Sequence, residues 1–359
     1  LGAACAKPES HPAKDELPKD ALPLEVTLRM GDEGDGPQSF ADLRGLAADE
    51  MGRIYVLEHS IPEIRIYDST GALVAKVGRR GEGPGEFLDP VGLALDPSGD
   101  LWTVDQGASR IFRFTHDARY LSSVPRGFSG SNVDWWRGRL DDQGRWIDVL
   151  ESPGQVQGTM LLRSAPSQGG PPERSAIPPY VIPAFELARK NSWTRATVPF
   201  SPRLVWTVDR RGDVWTGTSD RYFLVKRSFA GDTLARAEHA YPAPRVSDKE
   251  REEAVKGLEW FTKQGGKVDA GKIPGQKPLF RELSTDDQGR LWVQLNTSEG
   301  ASNTLFDVFS ATGQFLARVG GPLGQVVYPP LIVHGNLYAV ALDSSGVPQV
   351  VRARVPPLK

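Results

Sequence analysis

The sequence predicts an all-β chain, a six-bladed β-propeller of four-stranded antiparallel blades, and three observations carry that reading. A glycine-centred turn recurs six times, apolar strands flank each turn, and several turns stand one blade length apart. Glycine and proline contribute 38 and 29 of 359 residues, while a hydrophobic fraction of 39% and nine tryptophans supply a packed core. The composition is that of a turn-rich globular protein and not of a disordered one.

Each turn reads as an aspartate, two variable residues, a glycine, one more residue and then an apolar or aromatic pair. Asp49 goes with Gly52, Asp96 with Gly99, Asp141 with Gly144, Asp209 with Gly212 and Asp286 with Gly289; the sixth copy keeps Gly335 but has Ile332 in place of the acid. An aspartate at that place can accept hydrogen bonds from the backbone two residues on, and the glycine supplies the positive φ of a tight hairpin. Successive glycines are 47, 45, 68, 77 and 46 residues apart, so three intervals have blade length and two carry insertions.

An apolar strand precedes each turn and another follows it, as Leu93–Leu95 and Leu101–Val104 do around Gly99. A third strand follows at Ile64–Tyr67, Ile111–Phe114, Tyr222–Val225 and Leu305–Phe309, and a fourth at Leu73–Val77 and Phe315–Val319. Four short strands per repeat make one propeller blade. The last blade runs out of chain after Val347–Val355, and Leu24–Met30 has the character of its missing outer strand. The ring is therefore expected to close by pairing the N-terminal strand with the C-terminal blade, which removes exposed strand edges.

Gly31, Gly34, Gly36, Pro37 and Phe40 match Gly78, Gly81, Gly83, Pro84 and Phe87 at a spacing of 47, and the second set runs on through Pro90 into Val91–Leu95. These stretches resemble the inter-blade linker and first strand of NHL-repeat propellers. The resemblance is good over residues 31–115, recognisable over 281–322 and loose between them. It implies a six-bladed ring like those of exported bacterial, lipoprotein-like members of that group.

With 43 Lys and Arg against 45 Asp and Glu, the formal charge is −2, which argues against a dedicated nucleic-acid binder. No run of eighteen apolar residues occurs, so no transmembrane helix is expected. The single cysteine, Cys5, follows Gly2, Ala3 and Ala4, a pattern resembling the end of a bacterial lipoprotein signal, and it is a candidate for acylation. Residues 1–22 read as a tether rich in Lys, Pro and Asp, and residues 23–359 as the propeller.

Insertions are expected near 150–200 and 245–280. The first carries many prolines, among them Pro171, Pro172, Pro178, Pro179 and Pro183, and reads mostly as loop, with a candidate short helix in Tyr180–Trp193. In the second, Ser247 and Glu250 form a capping-box pattern ahead of an apolar stripe of Val255, Leu258 and Phe261, which predicts a helix over 248–264.

Catalytic chemistry is hard to find. The glycine run Gly78–Gly85 lacks the ending of a phosphate loop. The histidines (His11, His59, His116, His239, His334) are scattered singly, so no metal and no cofactor is expected. No Gly-x-Ser-x-Gly elbow exists, and Cys5 lies on the tether. The repeated aspartates are assigned to turns.

Aligning the blades on their glycines places Arg44, Trp136 and Arg281 eight residues before the turn, with Trp135, Arg137 and Arg203 beside that position. Arginines and tryptophans gathered at a channel mouth would bind a carboxylate or phosphate by forked hydrogen bonds and stacking. Inter-blade ion pairs are the competing explanation.

Taken together, these features lead us to expect a non-enzymatic binding or scaffolding propeller, exported to the periplasm or the outer-facing side of a bacterial membrane. It would touch the membrane only through its lipid anchor and dock as an accessory subunit on a membrane or envelope complex, of which a respiratory or photosynthetic assembly is one form. The alternatives are a metal-dependent lyase or lactone hydrolase of the propeller type, and a small-anion or carbohydrate binder at the channel mouth.

Overall fold

The computed structural model describes residues 16–34, 36–126, 135–152, 156–164, 171–190 and 192–358. Cys5 and most of the expected tether lie outside them.

Six antiparallel sheets follow one another around a ring. The first blade contains Leu43–Ala48, Ile54–Glu58, Glu63–Tyr67 and Leu73–Val77, and the second Pro90–Leu95, Leu101–Asp105, Arg110–Phe114 and Tyr120–Pro125. The third contains Arg139–Leu140, Trp146–Ser152, Val156–Ser164 and Glu173–Val181, and the fourth Leu204–Val208, Val214–Thr218, Phe223–Arg227 and Thr233–Glu238. Phe280–Thr285, Leu291–Leu295, Thr304–Phe309 and Phe315–Gly321 make the fifth, and Leu331–Val333, Asn336–Leu342 and Pro348–Arg354 the sequential part of the sixth.

Glu25–Met30 completes the sixth blade by antiparallel pairing with Pro348–Arg354, from Glu25 opposite Arg354 to Met30 opposite Val350. The expected closure is thus present. Immediately before it, Ala21–Pro23 adds in parallel to the outer edge of the fifth blade, Arg318 pairs with Asp20 at 3.2 Å, and Leu17 packs on that blade's core. The chain is therefore fixed to the ring from Leu17 onward, and the expected tether is shortened to the residues before it.

The turns form as their residues dictate. Asp96 Oδ1 accepts from the backbone N–H groups of Ser98 and Asp100, Asp96 Oδ2 accepts from Trp102 Nε1 at 2.9 Å, and Gly99 has φ +85°. Asp49, Asp141, Asp209 and Asp286 accept from their own turns in the same way. Between blades, apolar side chains from facing sheets interlock, as Leu57, Ile64 and Ile66 do with Phe87, Leu93 and Phe112.

The middle of the chain corrects two expectations. Much of the proline-rich interval is strand: Val156–Ser164 and Glu173–Val181 are the outer strands of the third blade, and Pro178 and Pro179 sit on its edge, where a missing N–H costs no ladder bond. The candidate helix in Tyr180–Trp193 is a hairpin instead, Ala184–Ala188 against Trp193–Thr197. The predicted helix at 248–264 is present, interrupted at Gly257: Asp248–Lys256 starts with the capping box of Ser247 and Glu250, and Glu259–Lys263 follows. Leu258 and Phe261 are buried as expected, whereas Val255 is 36% exposed.

Candidate functional site

The inner strands all run in one direction through the ring, so the channel has two unlike ends. One carries the Asp–Gly hairpins; at the other the linkers from the preceding blades enter. A cavity of about 690 Å³ fills the channel and opens among the hairpins, with Asp49–Met51, Asp96–Gly99, Asp141, Asp142, Asp286 and Asp287 in its rim.

The linker end is closed by contacts that cross the ring. Trp135, leading into the third blade, stacks on Tyr328 of the diametrically opposed sixth at 4.3 Å and 16°. Arg137 pairs with Glu282 of the fifth blade and lies 5.4 Å over the ring of Trp206 in the fourth. Trp136 is buried, stacked on Trp146 at 4.3 Å, and its Nε1 donates to Asp148 Oδ1 at 3.0 Å.

The six residues that the blade alignment brought together are therefore divided. Trp135, Trp136 and Arg137 line the cavity, and Arg44, Arg203 and Arg281 lie at the linker end outside it. Arg44 is held by Asp42 through Nε and Nη2. Arg203 donates to the carbonyl of Arg281 and stands 4.0 Å from Glu282. The Arg281 guanidinium has no hydrogen-bond partner among the described residues, and burial together with the neighbouring Arg203 charge lowers its pKa. Arg137, Arg203 and Arg281 thus surround the single carboxylate of Glu282.

Sequence alignment missed Arg139, which projects into the channel two residues after Arg137. Its Nη1 donates to the Val208 carbonyl at 2.6 Å and to Thr285 Oγ1 at 3.1 Å, its Nε is buried without a partner, and burial pushes its pKa down to about 10. The one signal available was its place directly before the hairpin of the third blade. No group of three or more His, Cys, Asp or Glu side chains suited to a metal occurs among the described residues. His59 contacts the Pro90 carbonyl at 3.2 Å, and His239 stacks on Phe315 at 3.9 Å.

The insertions meet on the linker face. Phe185, Ala196 and Val198 of the hairpin segment pack with Leu258, Phe261 and Ile273 into a small core of their own. Arg189 Nη2 donates to the Gln264 carbonyl across that contact at 2.8 Å. The resulting cap presents Trp193, 59% exposed, from the hairpin and Trp260, 46% exposed, from the helical segment.

Residues 33–129 match the family model DUF5128, described as a 6-bladed beta-propeller. A solved member of the duf4221 family from Bacteroides vulgatus superposes with a TM-score of 0.51 at 10% identity, covering 95% of this chain and 99% of that one. The chain is a six-bladed β-propeller. A gluconolactonase from Xanthomonas campestris gives a TM-score of 0.46 at 15% identity, with 96% and 99% covered. Virginiamycin B lyase from Staphylococcus aureus gives 0.43 at 10% identity, with 88% and 95% covered. A comparison with curated proteins finds no match. At these identities the likeness is one of fold, and fold does not carry function.

Proposed function

We propose that the chain is an NHL-type, non-enzymatic binding propeller, exported and held at a membrane through acylated Cys5, that docks as an accessory subunit on a membrane or envelope protein complex. The observation that carries this reading is the cap. A second apolar core joins a hairpin and a helical segment to each other on one face of the ring, and each presents an exposed tryptophan, a residue type enriched at the centres of protein interfaces. An acyl chain alone binds a bilayer marginally, so a tethered propeller gains from a second contact with protein. No helix among the described residues is long and apolar enough to cross a membrane.

Isolation of the native protein in mild detergent, with partner stoichiometry read by mass spectrometry, tests the proposal. A membrane partner at fixed ratio is expected, and the double variant Trp193→Ser, Trp260→Ser should lose it while the melting temperature holds. A partnerless protein, or a partner retained in full by that variant, would overturn it.

A further inference from the structure

We propose that the central cavity binds a small organic carboxylate, with Arg139 as its counter-ion. The site lies inside the ring, away from the cap, and does not depend on how the cap is used.

Arg139 lines the cavity and has no ion-pair partner among the described residues. The acidic groups nearest to it are already engaged: Asp209 with Lys226 at 2.6 Å, Asp141 with Arg145 at 2.7 Å and Asp142 with Arg210 at 2.7 Å. The nearby Arg137 is held by Glu282. One guanidinium thus reaches the channel with no carboxylate in ion-pair contact, favoured only at a distance by Asp209, Asp142 and Asp141, and a charge desolvated without a direct partner is costly to fold. Natural chains keep such a feature where a ligand supplies the missing charge.

Geometry then limits what can bind. Nη1 is occupied by Val208 and Thr285, which fixes the guanidinium plane, and Nη2 has no partner among the described residues. The hydroxyl of Thr207, on the same cavity wall, likewise has no partner among the described residues, and Ser284 Oγ is buried without one. An oxyanion would be met by one charged donor and by the Thr207 hydroxyl, which suits a carboxylate. The rim argues for a single negative charge: Glu50 and Asp287 stand there and would oppose a phosphate dianion. Leu93, Leu95, Leu331 and Val333 add apolar wall, and a cavity of about 690 Å³ has room for an organic body behind the carboxylate.

Thermal stabilisation of the purified full chain is the first readout, with benzoate, succinate and inorganic phosphate as probes and benzamide as the neutral match for benzoate. At least one carboxylate should raise the melting temperature, with phosphate and benzamide much weaker. Arg139→Met should abolish that shift while staying folded, and Arg139→Lys, which keeps a charge but not the guanidinium plane, should weaken binding about ten-fold or more. If Arg139→Met fails to fold, Arg139→Lys and Thr207→Val carry the test by titration calorimetry. Equal stabilisation by benzamide and benzoate, unchanged carboxylate binding in the Arg139 variants, or no response to any carboxylate would sink the proposal. A response to phosphate alone would replace the carboxylate with an inorganic anion and overturn the assignment of ligand class.

Discussion

At the open end of the channel the repeated aspartates cap the backbone of their own turns, whereas at the closed end the linkers are held by residues far from them in sequence. Asp96 accepts within its own hairpin and from Trp102 in the strand that leaves it, and stands 3.4 Å from Arg113 in the next strand of the same blade. At the other end Asp105, which ends the second strand of its blade, accepts from the backbone N–H groups of Leu88 at 2.7 Å and Asp89 at 3.0 Å. Glu58 does the same for Ala41 and Asp42, and Ser219 for Arg203. Asp148 instead takes Arg126 and Trp136 from the linker that precedes its blade. All four of these acceptors are buried. The linker end is therefore a set of long-range polar anchors, and the hairpin end a set of self-capped turns, some of which also join a neighbour, as where the Asp142 N–H donates to the Arg210 carbonyl and Arg210 Nε to Asp142 Oδ1, both at 2.7 Å.

The largest expected effect follows from breaking one anchor. Asp148 accepts from Arg126 Nε at 2.7 Å and Nη2 at 2.9 Å, from Trp136 Nε1 and from its neighbour's backbone N–H, with both members of the ion pair almost fully buried. Asp148→Ala removes the carboxylate and leaves a buried guanidinium and an indole N–H short of it. A loss of roughly 3–5 kcal/mol is expected, read as a lower urea midpoint at constant slope.

A second anchor gives a pH signature. The Tyr67 hydroxyl donates to the Pro37 carbonyl of the entering linker, and burial raises its pKa to about 12. Below pH about 10 the phenol is protonated in both states and its contribution is complete. Above that the unfolded chain ionises first, so stability falls until the folded phenol also ionises near pH 12. The decline attributable to this residue is on the order of 2–3 kcal/mol. Tyr241, also raised to about 12 by burial, adds a similar slope, so Tyr67→Phe should reduce the alkaline loss without abolishing it. An unchanged pH profile in that variant would remove Tyr67 from the set of anchors.

The same contrast explains what was legible in the sequence. The Asp–Gly hairpins could be read because every hydrogen bond they need lies within a few residues, and six copies fixed the blade count. The closing strand could be read from its apolar alternation and the incomplete last blade. The third blade was obscured because its outermost strand, Glu173–Val181, carries Pro178 and Pro179 on an exposed edge, where sequence rules for loops and structural rules for edge strands coincide. The channel-mouth cluster looked like one site because the alignment supplies height along the channel but not partners across it. Arg137 finds Glu282 two blades away, and Trp135 finds Tyr328 three blades away, distances that no local pattern encodes. Arg139 was missed for the converse reason, since its importance lies in which carboxylates are already taken.

The smallest effect should come from the open end. Gly99 has φ +85°, and a Cβ added there would meet nothing within 4 Å. Gly99→Ala therefore tests backbone strain alone, with an expected cost of about 1–2 kcal/mol for placing an L residue in the left-handed region. Because the partners of Asp96 lie in its own turn and in the two strands that follow it, the strain has no direct route to the linkers. Hydrogen exchange should quicken in Asp96–Trp102 and stay unchanged at Leu88 and Asp89, the amides held by Asp105 in the same blade. Faster exchange at those two amides, or a loss as large as that of Asp148→Ala, would mean that the hairpins share the cooperativity of the anchors and that the two ends of the channel do not differ in the way their hydrogen bonds suggest.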